Sequence, residues 1–102
     1  MPTITFYSTH HTRVVNGQIV SNDDAYRLIT LNYTNFGRRL EISIQPTLSP
    51  KMATCVSDKN SVLTYVGDDK DFRFEIETKP DNTIRRVSLF RLDKNLELRY
   101  YE

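Results

Sequence analysis

The chain has 102 residues, of which 38% are hydrophobic, and 14 Lys and Arg against 13 Asp and Glu give it a formal net charge of +1. This length suits one domain with one hydrophobic core, formed without disulfides or metal ions. The composition is too apolar and aromatic for a disordered chain and too polar for a membrane-spanning one. The balanced charge argues against a protein that binds nucleic acid or an anionic membrane. We therefore expect a single domain over residues 1–102.

The sequence carries no targeting or cofactor signal. The single cysteine, Cys55, excludes an intramolecular disulfide and a cysteine-clustered metal site. No positively charged segment followed by an apolar one opens the chain, and no apolar run approaches the ~20 residues needed to cross a bilayer. We expect a cytoplasmic protein (or one in the host cytoplasm, if a phage or virus encodes it) with no cofactor, no metal ion and no membrane association.

The residue types favour strands along the whole chain. Thr, Val, Ile, Tyr and Phe fill 36 of the 102 positions, whereas Ala fills two. β-Branched and aromatic residues suit the half-buried surface of a sheet, and here apolar residues mostly recur at every second position between frequent turn signals. The sequence predicts an all-β domain, namely a single antiparallel up-and-down barrel or a strongly curved meander sheet of roughly 8–10 short strands. A two-sheet sandwich is the alternative.

The first two hairpins follow from turn chemistry and alternation. Asn16 and Gly17 separate residues 12–15 from residues 18–21, and this dipeptide favours a type I′ turn, which needs positive φ at both positions. A strand that begins near Tyr26 is expected to pair with the next strand along an apolar face. The predicted pairs are Tyr33 with Leu40, Leu31 with Ile42, and Ile29 with Ile44.

Three later turns, at residues 58–60, 80–82 and 93–95, share a three-residue form that ends in Asn. A type I turn followed by a left-handed residue suits Asn at its last position, and this form fixes the registers of the flanking strands. The predicted pairs include Val56 with Val62, Cys55 with Leu63, Phe74 with Ser88, Ile76 with Arg86, Phe90 with Leu98, and Ser88 with Tyr100. Pro46 and Pro50 are expected to bracket a loop, because proline cannot donate to a ladder.

These registers place a charge among apolar neighbours. They set Arg86, Ser88 and Tyr100 on the inner face, where a charge must be paired or solvated. The favoured interpretation of Arg86 is a β-bulge at Arg85 and Arg86 that turns both side chains outward. The alternative is a ligand-binding site formed by the three residues, in which Arg86 anchors the acidic group of a small molecule.

The same registers predict a second apolar patch, with flanking arginines, on the outer face. Its residues are Val87, Leu89, Tyr101, Arg73 and Arg99. Such a patch suggests a surface for a protein partner, unless another part of the domain covers it. The C-terminal strand would add unpaired backbone groups to this surface, unless the barrel closes onto residues 3–8.

No catalytic constellation can be placed. His10 and His11 are adjacent, and adjacent residues of a strand point to opposite faces, so the two side chains do not readily bind one metal ion. We interpret them as a solvated strand end, the alternative being a general base or a pH-sensitive contact. Cys55 is interpreted as a small buried hydrophobic residue.

Two functional classes follow. The favoured one is a small non-catalytic interaction module that binds a protein partner or itself, of the adaptor, inhibitor or immunity-protein type, with a homodimer favoured. The alternative is a small-molecule binder or small barrel enzyme with a polar interior site at Arg86 and Tyr100. The meander resembles lipocalin-like and other small up-and-down barrels in its fold alone, since the chain lacks the Trp of the lipocalin entry motif.

Overall fold

The computed structural model describes residues 3–102 and is a closed antiparallel barrel whose eight strands follow one another in chain order. The strands are β1 (Thr3–Val15), β2 (Gln18–Thr34), β3 (Arg39–Gln45), β4 (Leu48–Lys59), β5 (Val62–Gly67), β6 (Phe72–Thr78), β7 (Ile84–Arg91) and β8 (Leu96–Tyr101). The predicted all-β barrel is therefore confirmed, and the chain does not form the two-sheet sandwich. Within residues 3–102, no helix is long and apolar enough to cross a membrane.

Alternate side chains of the strands fill the barrel interior. On β3, Leu40, Ile42 and Ile44 are fully buried, whereas the residues between them are partly exposed, as the two-residue period of a strand requires. Each fully buried side chain of this size contributes roughly 1.5–3 kcal/mol, so the core is the main source of stability. Its buried members are Phe6, Ile29, Leu31, Leu40, Ile42, Ile44, Ala53, Tyr65, Phe72, Phe74, Ile76, Ile84, Val87, Leu89, Leu98 and Tyr100.

Left-handed asparagines occupy the predicted turn positions. Asn16 and Gly17 have φ values of 52° and 80° and form the whole connection between β1 and β2. Asn82 and Asn95 have φ values of 68° and 49°. The β1–β2 turn is thus confirmed, and so are the left-handed positions of both later asparagines.

The connections on either side of β4 differ from the prediction. Asn60 and Ser61 both have positive φ and form a two-residue turn. This turn and an irregularity between Cys55 and Ser57 place Cys55 opposite Tyr65, so the predicted β4–β5 register is wrong. Pro50 lies within β4, at an irregularity in its ladder with β3, which is one of the few places where a strand tolerates proline.

A β-bulge in β7 reverses the predicted faces of that strand. The Lys79 amide donates to the Thr83 carbonyl at 2.8 Å, which closes the predicted turn. Further along, Glu77 pairs with Arg86, so that Arg85 is the extra residue of the bulge. Residues beyond the bulge therefore point to the face opposite to the one that the turn alone predicts.

The β7–β8 loop is one residue longer than the predicted form. Arg91 pairs with Leu96, which leaves four residues in the loop. Leu89 consequently lies opposite Leu98, in the position that the three-residue form gives to Phe90. The bulge and the longer loop together make the predicted registers of β6, β7 and β8 wrong by one residue.

The barrel closes through the second half of β1. Residues 10–15 pair with β8, so that β8 has a neighbour on each side and is not a free edge. Residues 3–8 pair with β2 alone, and β2 pairs with β3 only from Leu28 onward. In the described part of the chain, residues 3–8 and residues 18–27 each keep one unpaired edge. We call β1 and residues 18–27 together the β1–β2 ribbon, and the unpaired side of residues 3–8 the β1 edge.

Candidate functional site

The three predicted ligand-binding residues do not lie on one face. Arg86 and Ser88 belong to the outer face of β7, whereas Tyr100 is 1% exposed and points into the barrel. The Arg86 guanidinium lies 3.6 Å from Glu75 and 3.3 Å from Glu77, and it donates to the Ser88 hydroxyl. The bulge turns Arg86 outward, as the favoured interpretation holds, and gives it two carboxylate partners.

The predicted partner surface divides between the core and the outer face. Val87 is fully buried and Leu89 is 2% exposed, so neither can contact a partner, and the apolar part of that surface is wrong. Arg73, Arg99 and Tyr101 do lie on the outer face, around a shallow cleft. Val87 and Leu89 are buried because the bulge of β7 turns the residues beyond it to the opposite face of the strand.

Ion pairs cover the outer face of β6–β8, which we call the ionic wall. Arg99 Nε lies 2.6 Å from Glu97 Oε2, and this hydrogen bond raises the pKa of Arg99. The Arg73 guanidinium lies 4.8 Å from the centre of the Phe90 ring and 3.9 Å from Glu75. Pairs of this kind contribute about 0–1 kcal/mol each when exposed, and they leave the wall with its charges largely compensated.

A second cluster lies at the barrel end that carries the β3–β4 turn. The rings of His11 and Tyr100 are stacked, with centroids 5.1 Å apart and planes at 22°. Arg27 Nε donates to the Thr47 hydroxyl at 3.1 Å. Thr47 and Arg27 both oppose the rise that burial causes in the pKa of Tyr100. We call His11, Arg27, Thr47 and Tyr100 the barrel-end cluster.

The electrostatics of the barrel-end cluster favour an uncharged imidazole beside a cation. Burial, followed by Arg27 and more weakly by Arg13, holds the pKa of His11 below its ordinary value, while Asp23 opposes this shift. Burial also raises the pKa of Tyr100. The Nε2 atom of His11 is buried and has no hydrogen-bond partner among the described residues.

Sequence reasoning identified only part of this cluster. His10 and His11 point to opposite faces as predicted, and His10 lies outside, 3.2 Å from Asp24. His11 is nevertheless not the solvated residue that the sequence suggests, because it stacks on a core tyrosine. No pattern in the sequence places Arg27 or Thr47 beside it, since the stagger of the strands determines these contacts.

The β1 edge borders a groove of about 390 Å³. Residues of β1 line one side, and Ile84, Glu102 and part of the β6–β7 turn line the other. Eight large hydrophobic side chains are exposed in the described part of the chain, and five of them lie on the β1–β2 ribbon. The five are Ile4, Tyr7, Ile19, Val20 and Tyr26.

Cys55 has no feature of a reactive site. Its side chain is half-buried against the core, as the sequence suggests for a small hydrophobic residue. The thiol donates to the Ser57 carbonyl at 3.6 Å. Among residues 3–102, no three His, Cys, Asp or Glu side chains gather as a metal site requires.

No family model, curated protein or solved structure matches this chain. The functional argument therefore depends on the ionic wall, the barrel-end cluster and the β1 edge. Arg73, Arg86 and Arg99 of the wall lie beside carboxylates. Among the described residues, Arg27 of the barrel-end cluster has no carboxylate partner, and the β1 edge has no second neighbouring strand. These two are the candidate sites.

Proposed function

We propose that this protein is a non-catalytic interaction module that binds a second copy of itself through the β1 edge. The observation that carries this proposal is the one-sided pairing of residues 3–8, which are hydrogen-bonded to β2 and have no second neighbouring strand in the described chain. Such an edge is a template for a further strand, whose main-chain hydrogen bonds supply affinity.

The β1 edge lacks the features by which proteins block strand pairing. Residues 3–8 contain no charged residue and no proline, and most of their side chains are β-branched or aromatic. The unpaired edge of β2 differs, because Asp23, Asp24 and Arg27 lie along it. Charged side chains on an edge oppose the addition of a strand. Of the two unpaired edges, the β1 edge is the one open to a partner.

A second copy suits the β1 edge because antiparallel pairing of one segment with itself is self-complementary. A two-fold axis near the middle of residues 3–8 aligns the segment with its own reverse, so that every side chain meets an uncharged one. A strand seated there also covers part of Ile4, which is 38% exposed and lines the groove. Both copies thereby satisfy their free backbone groups in one contact.

The expected affinity is low. The contact is short, a backbone hydrogen bond contributes only about 0.5–1.5 kcal/mol net, and association itself has a large entropic cost. We expect a dimer with a Kd on the order of 100 µM.

Sedimentation equilibrium of the wild type and two lysine variants tests the proposal. Thr5→Lys puts a cation on the edge, so that two-fold pairing brings two ammonium groups together and the dimer should be lost. Thr30→Lys is the matched control, because Thr30 pairs with Thr5 across the β1–β2 ladder but lies one strand away from the edge. The control should dimerise like the wild type.

Two outcomes contradict the proposal. A wild type that stays monomeric up to roughly 1 mM, about ten times the expected Kd, excludes self-association through this edge. A dimer that is unchanged by Thr5→Lys forms elsewhere on the molecule. Circular dichroism of both variants checks that each keeps its sheet.

A further inference from the structure

Hydrogen-bond donors from four distant parts of the chain converge in the barrel-end cluster. His11 lies on β1, Arg27 on β2 and Tyr100 on β8, and Thr47 is in the β3–β4 turn. The 5.1 Å stacking of the imidazole on the phenol and the 3.1 Å hydrogen bond from the guanidinium to the Thr47 hydroxyl hold them together. Guanidinium, protonated imidazole and hydroxyl groups can all donate to the oxygens of an anion.

The Arg27 guanidinium has N–H donors that no described residue accepts from. Its Nε donates to Thr47 and its Nη1 donates to the Tyr26 carbonyl at 2.9 Å, which uses two of the five N–H donors of an arginine. Among residues 3–102, no carboxylate forms an ion pair with Arg27, whereas Arg86 and Arg99 of the ionic wall both have one. A positive charge with free donors therefore stands at this end of the barrel.

The unpartnered Nε2 atom of His11 is the second, independent observation. Buried polar atoms nearly always have a hydrogen-bond partner, so a buried imidazole nitrogen without one is an exception that a bound acceptor would account for. An acceptor that also carries negative charge would pair with Arg27 and accept a hydrogen bond from His11 at once.

We propose that the barrel-end cluster binds a small oxyanion, a phosphate or a carboxylate group. Arg27 supplies the charge and a pair of N–H donors, which suit the oxygens of either group. His11 Nε2 and the hydroxyls of Thr47 and Tyr100 complete the hydrogen bonds. The site is separate from the proposed dimer contact, because none of its residues belongs to the β1 edge.

Binding at this site should take up a proton. The charged groups that act on His11 are Arg27 and Asp23 from β2 and Arg13 from β1, while Tyr100 from β8 stacks on its ring. Without a ligand, burial and the two arginines favour the neutral imidazole. A bound oxyanion offsets the arginines and favours the protonated form. Affinity should therefore rise as the pH falls, and level off below the pKa of His11 in the free protein.

Nuclear magnetic resonance titrations with sodium sulfate, inorganic phosphate and acetate test this proposal. Sulfate keeps its charge across the useful pH range, so it isolates the protonation of His11, while phosphate and acetate identify the preferred oxyanion. The His11 ring signals should shift saturably and the His10 ring signals should not, because His10 lies on the outside beside Asp24. The affinity for sulfate should increase severalfold between pH 8 and pH 5.

Two glutamine variants supply the decisive comparison. Arg27→Gln should weaken binding at least about tenfold through loss of the charge-assisted hydrogen bonds. Arg38→Gln removes an exposed arginine from the β2–β3 loop and should leave the affinity within about twofold of the wild type. If Arg27→Gln loses the native amide spectrum, Tyr100→Phe takes its place, since it removes only the phenol hydroxyl, with an expected loss of about threefold or more.

The proposal is overturned by either of two results. One is the absence of a saturable His11 shift with all three anions up to roughly 10 mM, about ten times a millimolar Kd. The other is an affinity in the folded Arg27→Gln variant, or in Tyr100→Phe where that variant is used, equal to that of the wild type.

Discussion

The ionic wall and the β1–β2 ribbon are built from the same kind of strand, yet they differ in how completely their groups are paired. On the wall, β7 has a hydrogen-bonded neighbour on each side, and the outward Arg86 and Arg99 each have a carboxylate partner. On the ribbon, residues 3–8 and 18–27 are paired on one side only. Exposed hydrophobic side chains such as Tyr7 and Tyr26 are concentrated there.

This contrast predicts that the wall contributes mainly to the stability of the fold and the ribbon mainly to binding. A wall whose central strand is paired on both sides, over a packed core, gains few hydrogen bonds and little burial from a partner. A ribbon that is paired on one side only gains both. Substitutions on the wall should therefore change the free energy of unfolding, and substitutions on the ribbon should mainly change association. Three measurements test this division.

The largest effect is expected beneath the wall. Phe74 of β6 is fully buried, so Phe74→Ala removes a large apolar side chain and leaves a cavity, which should cost about 3–5 kcal/mol. Tyr26→Ala is the control on the ribbon, because Tyr26 is 78% exposed and its truncation should change stability by less than about 0.5 kcal/mol. Urea denaturation measures both. Equal losses of unfolding free energy in the two variants would contradict the difference between the wall and the ribbon.

An intermediate effect is expected on the wall itself. Arg86→Ala leaves the half-buried Glu75 and Glu77 without their shared cation, which should cost about 1–3 kcal/mol. The matched control is Arg85→Ala, at the exposed extra position of the bulge, with an expected change within about 0.5 kcal/mol. If the two arginines prove equivalent, the outward register of β7 past the bulge is contradicted.

The smallest effect is expected from pH at the barrel-end cluster. The pKa of His11 is lowered in the folded protein relative to 6.5, so the unfolded chain binds this proton more readily. Stability should therefore decline as the pH falls through about 6.5, until it reaches the folded-state pKa. His11→Gln should lose less stability between pH 8 and pH 5 than the wild type does, by well under 1 kcal/mol because the side chain is partly exposed. Identical pH profiles of the free energy of unfolding would contradict this prediction.

The strand registers show which parts of the fold can be predicted from the sequence alone. The β2–β3 pairs Leu31 with Ile42 and Ile29 with Ile44 are confirmed, because their unbroken alternation buries an apolar face in only one register. In β7 the alternation is ambiguous, since Val87, Leu89 and the adjacent Phe90 offer apolar side chains to both faces. The pairing of opposite charges does not distinguish the two registers either, because Glu77 lies opposite Arg86 with the bulge and would lie opposite Arg85 without it.

The candidate sites were harder to predict than the fold. The prediction of an anion-binding arginine near Tyr100 named Arg86, whereas the arginine at the barrel-end cluster is Arg27. Its position depends on the stagger of β1 and β2 relative to β8, which the local pattern of side chains does not contain. The prediction of a free edge named β8, whereas the unpaired edges in the described chain are those of residues 3–8 and residues 18–27, because closure takes place further along β1.

Closure of the barrel also constrains the order of folding. Every other ladder joins strands that are neighbours in sequence, but the β1–β8 ladder joins Val15 to Leu96 and so must close the longest loop in the domain. Non-local pairing of this kind slows folding, and closure should be the last step. Until then, residues 10–15 and β8 are two complementary open strands, which can join within one chain or between two. Refolding at high protein concentration should therefore favour exchange of β8 between molecules, through the half of β1 that the native protein keeps covered.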